Sequence, residues 1–412
     1  MKNLIAEKTG ITKELFWGYV GLIFFMLGAT IETSWFSSYL TTLGFEVKVV
    51  SLLFSMYGIF VAFFSWVTSF LVNRFSIKRV MLASLLLSFF STGVLLFGLA
   101  TKQAGLIFLG YMLRGTVYPL FAYSFLVAIT LQTSDEKLGR GTSWFWLCFN
   151  LGMTIIGPVF SAQLLKQIDP ISIFLMGTGL ILFGGFVSLT RCEIQQTEAA
   201  SVTILGEMKE GIQILFQFPR LIIGLLVKGI NNIGQFGFVI MMPIFLLQHQ
   251  FTLVQWTSAW AICYVINSFA GIVFGSLGDK YGWRKIVALF SGTITGVSCL
   301  LLIVVINYFP GNFILLILAF SIFAIGIAAF TPLSALIPSM VPEHKVTAIS
   351  VLNLGSGLSN FFGPMLVTLL FQQYGGNFTL VVFAVLYFSA SLLSVHLKTP
   401  ADTFSEELKS LE

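Results

Sequence analysis

Leu71-Val72-Asn73-Arg74-Phe75-Ser76-Ile77-Lys78-Arg79 returns 206 residues later as Leu277-Gly278-Asp279-Lys280-Tyr281-Gly282-Trp283-Arg284-Lys285. Each copy is a short basic turn between two long apolar runs, and 206 is half of the 412-residue chain. An apolar run of about twenty residues crosses a hydrocarbon core about 30 Å thick at 1.5 Å per helical residue. Lipid offers the backbone no hydrogen-bonding partner, so such a run must satisfy itself as a helix. Composition extends this reading to the whole chain. Hydrophobic residues make up 57% and charged residues only 9%, against about 25% charged in globular domains. A soluble domain is excluded, and the chain reads as an all-α integral membrane protein.

The apolar runs predict twelve transmembrane helices, at 17–40, 49–72, 80–100, 105–131, 144–165, 171–190, 221–247, 254–277, 286–308, 313–341, 346–371 and 378–397. Gly157-Pro158 in the fifth run maps onto Gly363-Pro364 in the eleventh at the same offset of 206. Two separate landmarks in one register indicate a duplicated six-helix unit. The expected organisation is an N-terminal bundle over 1–190, a polar linker over 191–220, and a C-terminal bundle with its tail over 221–412. Repeated halves are how many secondary transporters place a substrate site near the bilayer midplane, so a central cavity between two pseudo-symmetric bundles is expected.

Lys and Arg set the orientation, because short basic loops stay on the cytoplasmic side during insertion. With the N-terminus inside, 17 of the 22 basic residues fall in inner segments and three, Lys48, Lys102 and Lys166, in outer loops. Both termini are therefore expected in the cytoplasm, in a multi-pass protein of the cell (inner, cytoplasmic) membrane. The net charge of +5 reports this topology, and no nucleic-acid partner is expected. The first run is too long for a signal-peptide core and no small-residue cleavage pattern follows it.

The two remaining basic residues, Arg114 and Lys228, and one acid, Glu32, lie well inside the spans. Charge in hydrocarbon is costly and by default functional. Glu32 is eight residues before the outer end of its run and Arg114 nine after the outer start of its own, about 12 to 14 Å deep in each case. An ion pair is geometrically available, and Glu32 with Arg114 is expected to couple conformational change to an ion gradient; a purely structural salt bridge is the alternative. Lys228 begins a polar stripe with Asn231, Asn232 and Gln235, whose spacing puts all four on one helical face. Amides and an ammonium suit hydroxyls or carboxylates, so this face is expected to bind substrate, against the alternative of interhelical glue. Tyr118, Tyr123, Asn150, Asn267 and Asn353 are further candidates.

A nucleotide-driven pump lacks its phosphate loop, and no nucleophile with a base partner or metal-ligand spacing marks an enzyme. No cofactor, no metal and no catalytic residue is expected. The partners are a small-molecule substrate, a coupling ion taken as H+, and the bilayer, with the chain working as a monomer. One interior acid against two bases leaves a formal +1, which favours an anion such as a small carboxylate.

Gly275 to Lys285 resembles the cytoplasmic signature of the major facilitator superfamily, Gly-x-x-x-Asp followed by basic residues. The resemblance implies a gating latch at Gly275, Asp279, Gly282, Arg284 and Lys285. The first copy departs from it, with Ser69 and Asn73 at the Gly and Asp positions. More narrowly, Trp17-Gly18-Tyr19, Arg114-Gly115, Tyr118-Pro119-Leu120-Phe121-Ala122-Tyr123, Gln235-Phe236-Gly237-Phe238, Pro332-Leu333-Ser334-Ala335-Leu336 and Ser350 to Gly357 are similar to the polyol permease family. That family holds ribitol and arabinitol carriers and oxoglutarate permease-like proteins. The resemblance implies secondary active, proton-coupled uptake (symport) of a small hydrophilic metabolite such as a polyol (sugar alcohol), by alternating access. A small-carboxylate permease, or an exporter of drugs or metabolites, is the alternative. Where the family's first helix often reads Gly-Asp-Gly-x-Glu, this chain has Gly28-Ala29-Thr30-Ile31-Glu32, leaving Glu32 the only carboxylate within the spans.

Overall fold

The computed structural model describes residues 11–33, 35–45, 47–157, 160, 164–165, 167–194 and 213–399. Pro158, most of the expected linker and both chain ends lie outside the described residues. Every regular element among the described residues is helical. Among the described residues, ten helices are long and apolar enough to cross a membrane. Phe16–Thr30 supplies the first span and Leu138–Asn150 begins the fifth, completing the twelve-helix architecture.

Capping explains several helix starts. Asp169 accepts the Ser172 amide at 3.0 Å and its hydroxyl at 2.7 Å, starting the sixth span at Pro170; these bonds hold its carboxyl below the usual carboxylate range. Thr252 and Gln255 exchange side-chain and backbone bonds in a capping box ahead of the eighth span. Between the second and third spans the turn narrows to Ser76, at φ 74° and ψ 153°. That region is nearly reserved for glycine. Its counterpart 206 residues on is Gly282, at φ 98°, so the turn has one shape in both repeats although only one carries the suited residue.

Several of the predicted runs differ from continuous single helices. The first breaks after Thr30 and resumes at Phe36–Thr42. Neither Gly nor Pro lies at the break; Thr33 Oγ1 donates to the Thr30 carbonyl at 2.8 Å and Trp35 Nε1 to that of Ile31 at 2.9 Å, so side chains satisfy carbonyls the helix has released. The tenth breaks between Ala328 and Leu333, where Pro332 lacks a backbone donor. The eleventh and twelfth form one helical stretch, Lys345–Ser394, bent at Gly375 with φ 79°. In the fourth span Pro119 opens a wide π-turn, Pro119–Tyr123, again because a donor is missing.

By packing, the described chain divides into a unit drawn from Met1–Thr133 and Trp144–Glu207, and a second from Ser134–Ser143 and Met208–Glu412. In the first unit, the first and sixth spans cross at four glycines. A methyl on Gly28 would collide with the Gly177 carbonyl, and one on Gly21 with that of Gly184. Such close backbone approach is the usual basis of helix association in lipid, where burial gives little driving force. In the second unit the seventh and eleventh spans meet the same way, with a methyl on Gly355 falling 2.6 Å from the Leu225 carbonyl.

Candidate functional site

In the first unit Arg114 and Glu32 form a buried ion pair, with 4% and 1% of their surfaces exposed. Arg114 Nη2 donates to Glu32 Oε1 at 2.7 Å and Nε donates to the same oxygen at 2.9 Å. The expected pairing of these two residues is therefore met geometrically. Arg114 Nη1 donates to Thr92 Oγ1 at 2.6 Å, and Thr178 Oγ1 lies 3.1 Å from that oxygen. The guanidinium also sits 5.4 Å from the centre of the Phe174 ring. The cation is thus held from three sides, whereas Glu32 Oε2 is buried with no hydrogen-bond partner. Thr92 and Thr178 escaped the sequence reading because a lone threonine in an apolar helix usually bonds its own backbone.

The fold also explains why Glu32 projects from its span here. It lies at the break, where its own carbonyl accepts the amides of Trp35 and Phe36 at 3.2 and 2.9 Å. Adding 206 to each member of the pair gives Phe238 and Phe320, both fully buried. The ion pair therefore has no charged counterpart in the second repeat. Tyr118 and Tyr123 of the first unit are buried with ring centres 6.2 Å apart, and Asn150, partly buried, precedes a second π-turn, Leu151–Ile156.

In the second unit the Lys228 stripe lies on a different side of its helix from the exposed apolar residues Ile222, Leu226 and Ile240, with Lys228 and Asn231 buried. Asn232 Nδ2 donates to Ser356 Oγ at 2.5 Å, joining the seventh and eleventh spans. Asn267 Nδ2 donates to the Ala324 carbonyl at 3.2 Å, joining the eighth and tenth. Those two amides tie helices together. Asn231 Oδ1 and Asn353 Nδ2 are buried without partners, and Gln235 is partly buried.

The Gly-x-x-x-Asp loop has a defined geometry within the second unit. Asp279 Oδ1 accepts the Gly139 amide at 3.0 Å and the Trp283 indole at 2.9 Å. Its Oδ2 accepts the Arg140 amide at 3.2 Å and Arg140 Nε at 3.1 Å. A carboxylate at the first amides of the Leu138–Asn150 helix meets both unpaired donors and the positive helix end. Gly275 lets that helix approach, since a methyl there would collide with the Ser143 hydroxyl. Arg284 Nη1 donates to the Val395 carbonyl at 3.4 Å, at the end of the twelfth span. In the first repeat Lys78 Nζ donates to the Leu189 carbonyl at 3.4 Å, at the end of the sixth. Both partners are offset by 206, so this cap on the last helix of each repeat is duplicated along with the sequence. Gly282 forms the turn already described, and Lys285 is exposed.

These features agree with what the chain is similar to. Human organic anion transporter MFSD10 (TETRAN) superimposes with a TM-score of 0.73 at 13% identity, covering 93% of this chain and 99% of that one; this likeness concerns the fold. The alpha-ketoglutarate permease of Bacillus subtilis (strain 168) is 32% identical over 412 residues, 98% of this chain and 95% of that protein. The D-arabinitol transporter of Klebsiella pneumoniae is 28% identical over 405 residues, 97% of this chain and 95% of that protein. The sequence pattern of the Major Facilitator Superfamily matches residues 18–305 and 224–411. The chain is a membrane transporter, not an enzyme, and belongs to the major facilitator superfamily.

Proposed function

We propose that this transporter takes up a linear polyol by secondary active transport across the cell membrane, driven by protons that enter through Glu32. The observation that carries the coupling half is the asymmetry of the ion pair. Arg114 spends two donors on Glu32 Oε1, and Oε2 is left buried without a partner. A proton added at Oε2 neutralises the carboxylate and weakens its hold on Arg114, while the neutral contacts to Thr92 and Phe174 still position the guanidinium, so protonation can loosen the pair.

Substrate contact is assigned to Lys228, Asn231, Gln235 and Asn353 of the second unit, and Tyr118, Tyr123 and Asn150 of the first are taken as further substrate contacts. Asn232 and Asn267 shape the site by holding its helices. Asp279, with Gly275, Gly282, Arg284 and Lys285, serves as the latch that is made and broken during the cycle. The chain is organised as bundles 1–190 and 221–412 joined by a linker over 191–220, with both termini cytoplasmic and the protein working as a monomer. Support for the polyol comes from the arabinitol-transporting relative and from amides that suit hydroxyls.

A second reading, a small-carboxylate permease, is favoured by the buried cation Lys228 and by the alpha-ketoglutarate permease relative. Uptake of ribitol, D-arabinitol and 2-oxoglutarate into proteoliposomes, with and without an imposed inward proton gradient, separates the readings. Polyol accumulation that collapses with a protonophore is expected; accumulation of 2-oxoglutarate alone would replace the polyol reading, and accumulation untouched by the protonophore would remove proton coupling.

A further inference from the structure

Most polar side chains in the membrane part of the second unit are satisfied within the protein. Besides Asn232 and Asn267, Ser276 Oγ donates to the Ile272 carbonyl, Ser350 Oγ to that of Thr347 and Ser359 Oγ to that of Ser356. Among the described residues of this unit, four buried side-chain atoms have no hydrogen-bond partner: Asn231 Oδ1, Tyr264 Oη, Ser268 Oγ and Asn353 Nδ2. Tyr264 and Ser268 are 2% and 4% exposed. Neither was singled out by the sequence, because a tyrosine and a serine in an apolar helix are ordinary packing residues.

Two of the four share a helical face, and the level of each along its span can be counted from the helix ends. Tyr264 and Ser268, four residues apart, share one face of the eighth span, the same face that reaches Gly275 and Asp279 further along. Asn231 lies on the polar face of the seventh. Counted from the helix ends that meet the basic turns, Asn231 is 12 residues past Pro219 and Ser268 13 residues before Tyr281, placing both about 18 to 20 Å deep. Tyr264 is one turn further out. Asn353, eight residues past Lys345, is about 12 Å deep. A serine hydroxyl can turn back to a carbonyl of its own helix, but the Tyr264 hydroxyl stands at the far end of a rigid ring and has no such recourse.

We infer that Asn231, Tyr264 and Ser268 form a hydroxyl-reading surface, continued by Asn353 toward the basic end of the spans, and that it selects a neutral polyhydroxylated substrate over a dicarboxylate. The inference rests on the transport reading above. Its basis is the donor and acceptor inventory. Asn231 Oδ1 only accepts, Asn353 Nδ2 only donates, and the Tyr264 and Ser268 hydroxyls do both. A substrate hydroxyl, itself donor and acceptor, answers every one of them. An ionised carboxylate only accepts, so it leaves Asn231 Oδ1 unanswered. Lys228 on the same helical face donates equally well to a hydroxyl oxygen.

The test compares wild type, Tyr264→Phe and Ser268→Ala in proteoliposomes, measuring uptake kinetics for ribitol and for 2-oxoglutarate. For ribitol each variant is expected to raise KM about three- to tenfold, the effect of losing one neutral hydrogen bond, with kcat little changed. Wild type is expected to prefer ribitol. Ribitol-induced thermal stabilisation of the purified variants gives a second readout that does not require turnover, and it should shrink in step. If wild type transports ribitol but both variants keep its KM and its thermal shift, the hydroxyl-reading surface is wrong while the transport reading stands. If wild type prefers 2-oxoglutarate or transports neither compound, the selection for polyols is overturned together with the polyol reading.

Discussion

Arg114 directs Nε and Nη2 to a single oxygen of Glu32, at 2.9 and 2.7 Å, and its third donor position to Thr92. Removing one member of a buried pair strands the other charge, which is far worse than removing both. Arg114→Met is expected to cost about 3–5 kcal/mol, and Glu32→Met with Arg114→Met to recover most of it. Thermal unfolding of the detergent-solubilised protein checks this. Equal losses in the single and double variants would mean that the two residues are not energetically paired.

The glycine crossings make a contrast within one fold. Alanine at Gly28 or Gly184 must push the facing backbone aside, since the first would strike the Gly177 carbonyl and the second that of Gly21. A loss of about 1–3 kcal/mol, as for an overpacked core, is expected. Gly93 and Gly179 have open space around them, so alanine there should be neutral or slightly stabilising, by up to about 1 kcal/mol. Melting temperatures of the four variants should split into these two pairs.

Ser76 holds a conformation suited to glycine, φ 74° and ψ 153°, which costs of order 1–3 kcal/mol. Ser76→Gly should relieve most of it and raise the melting temperature. The mirror experiment, Gly282→Ser, should lower it by a similar amount, because that position also has a positive φ, 98°.

The Asp279 carboxylate collects two backbone amides, an arginine and an indole. Asp279→Ala should leave these donors unanswered and cost about 1.5–3 kcal/mol, the range for hydrogen bonds to a charged group. Uptake should fall while substrate-induced thermal stabilisation persists. The exposed pair of Lys345 with Asp135, at 3.1 Å, is expected to matter by less than about 1 kcal/mol. Comparing Asp279→Ala with Lys345→Ala in both assays tests that ranking.

Much of this architecture was legible in the sequence because the bilayer imposes one strong rule, a long apolar run for every crossing. The offset of 206 was legible too, and it reappears in three dimensions as the matched caps of Lys78 on Leu189 and Arg284 on Val395. The Glu32 and Arg114 pairing followed from depth alone. The break after Thr30 did not, since no helix breaker stands there and the released carbonyls are satisfied by Thr33 and Trp35. Thr92 and Thr178 were invisible for a related reason: a hydroxyl's partner is chosen by which helices meet, and apolar sequences say little about which faces those are. The same holds for Gly28 against Gly177.

The most direct test of the account is accumulation by Glu32→Gln. Proteoliposomes carrying wild type or the variant are given external radiolabelled polyol and an inward proton gradient. Substrate exchange at equal concentrations on both sides is measured alongside. The account predicts that the variant keeps exchange but brings substrate only to equal concentrations, whereas wild type concentrates it. A Glu32→Gln protein that still accumulates polyol above its external concentration, in response to the proton gradient, would contradict the account.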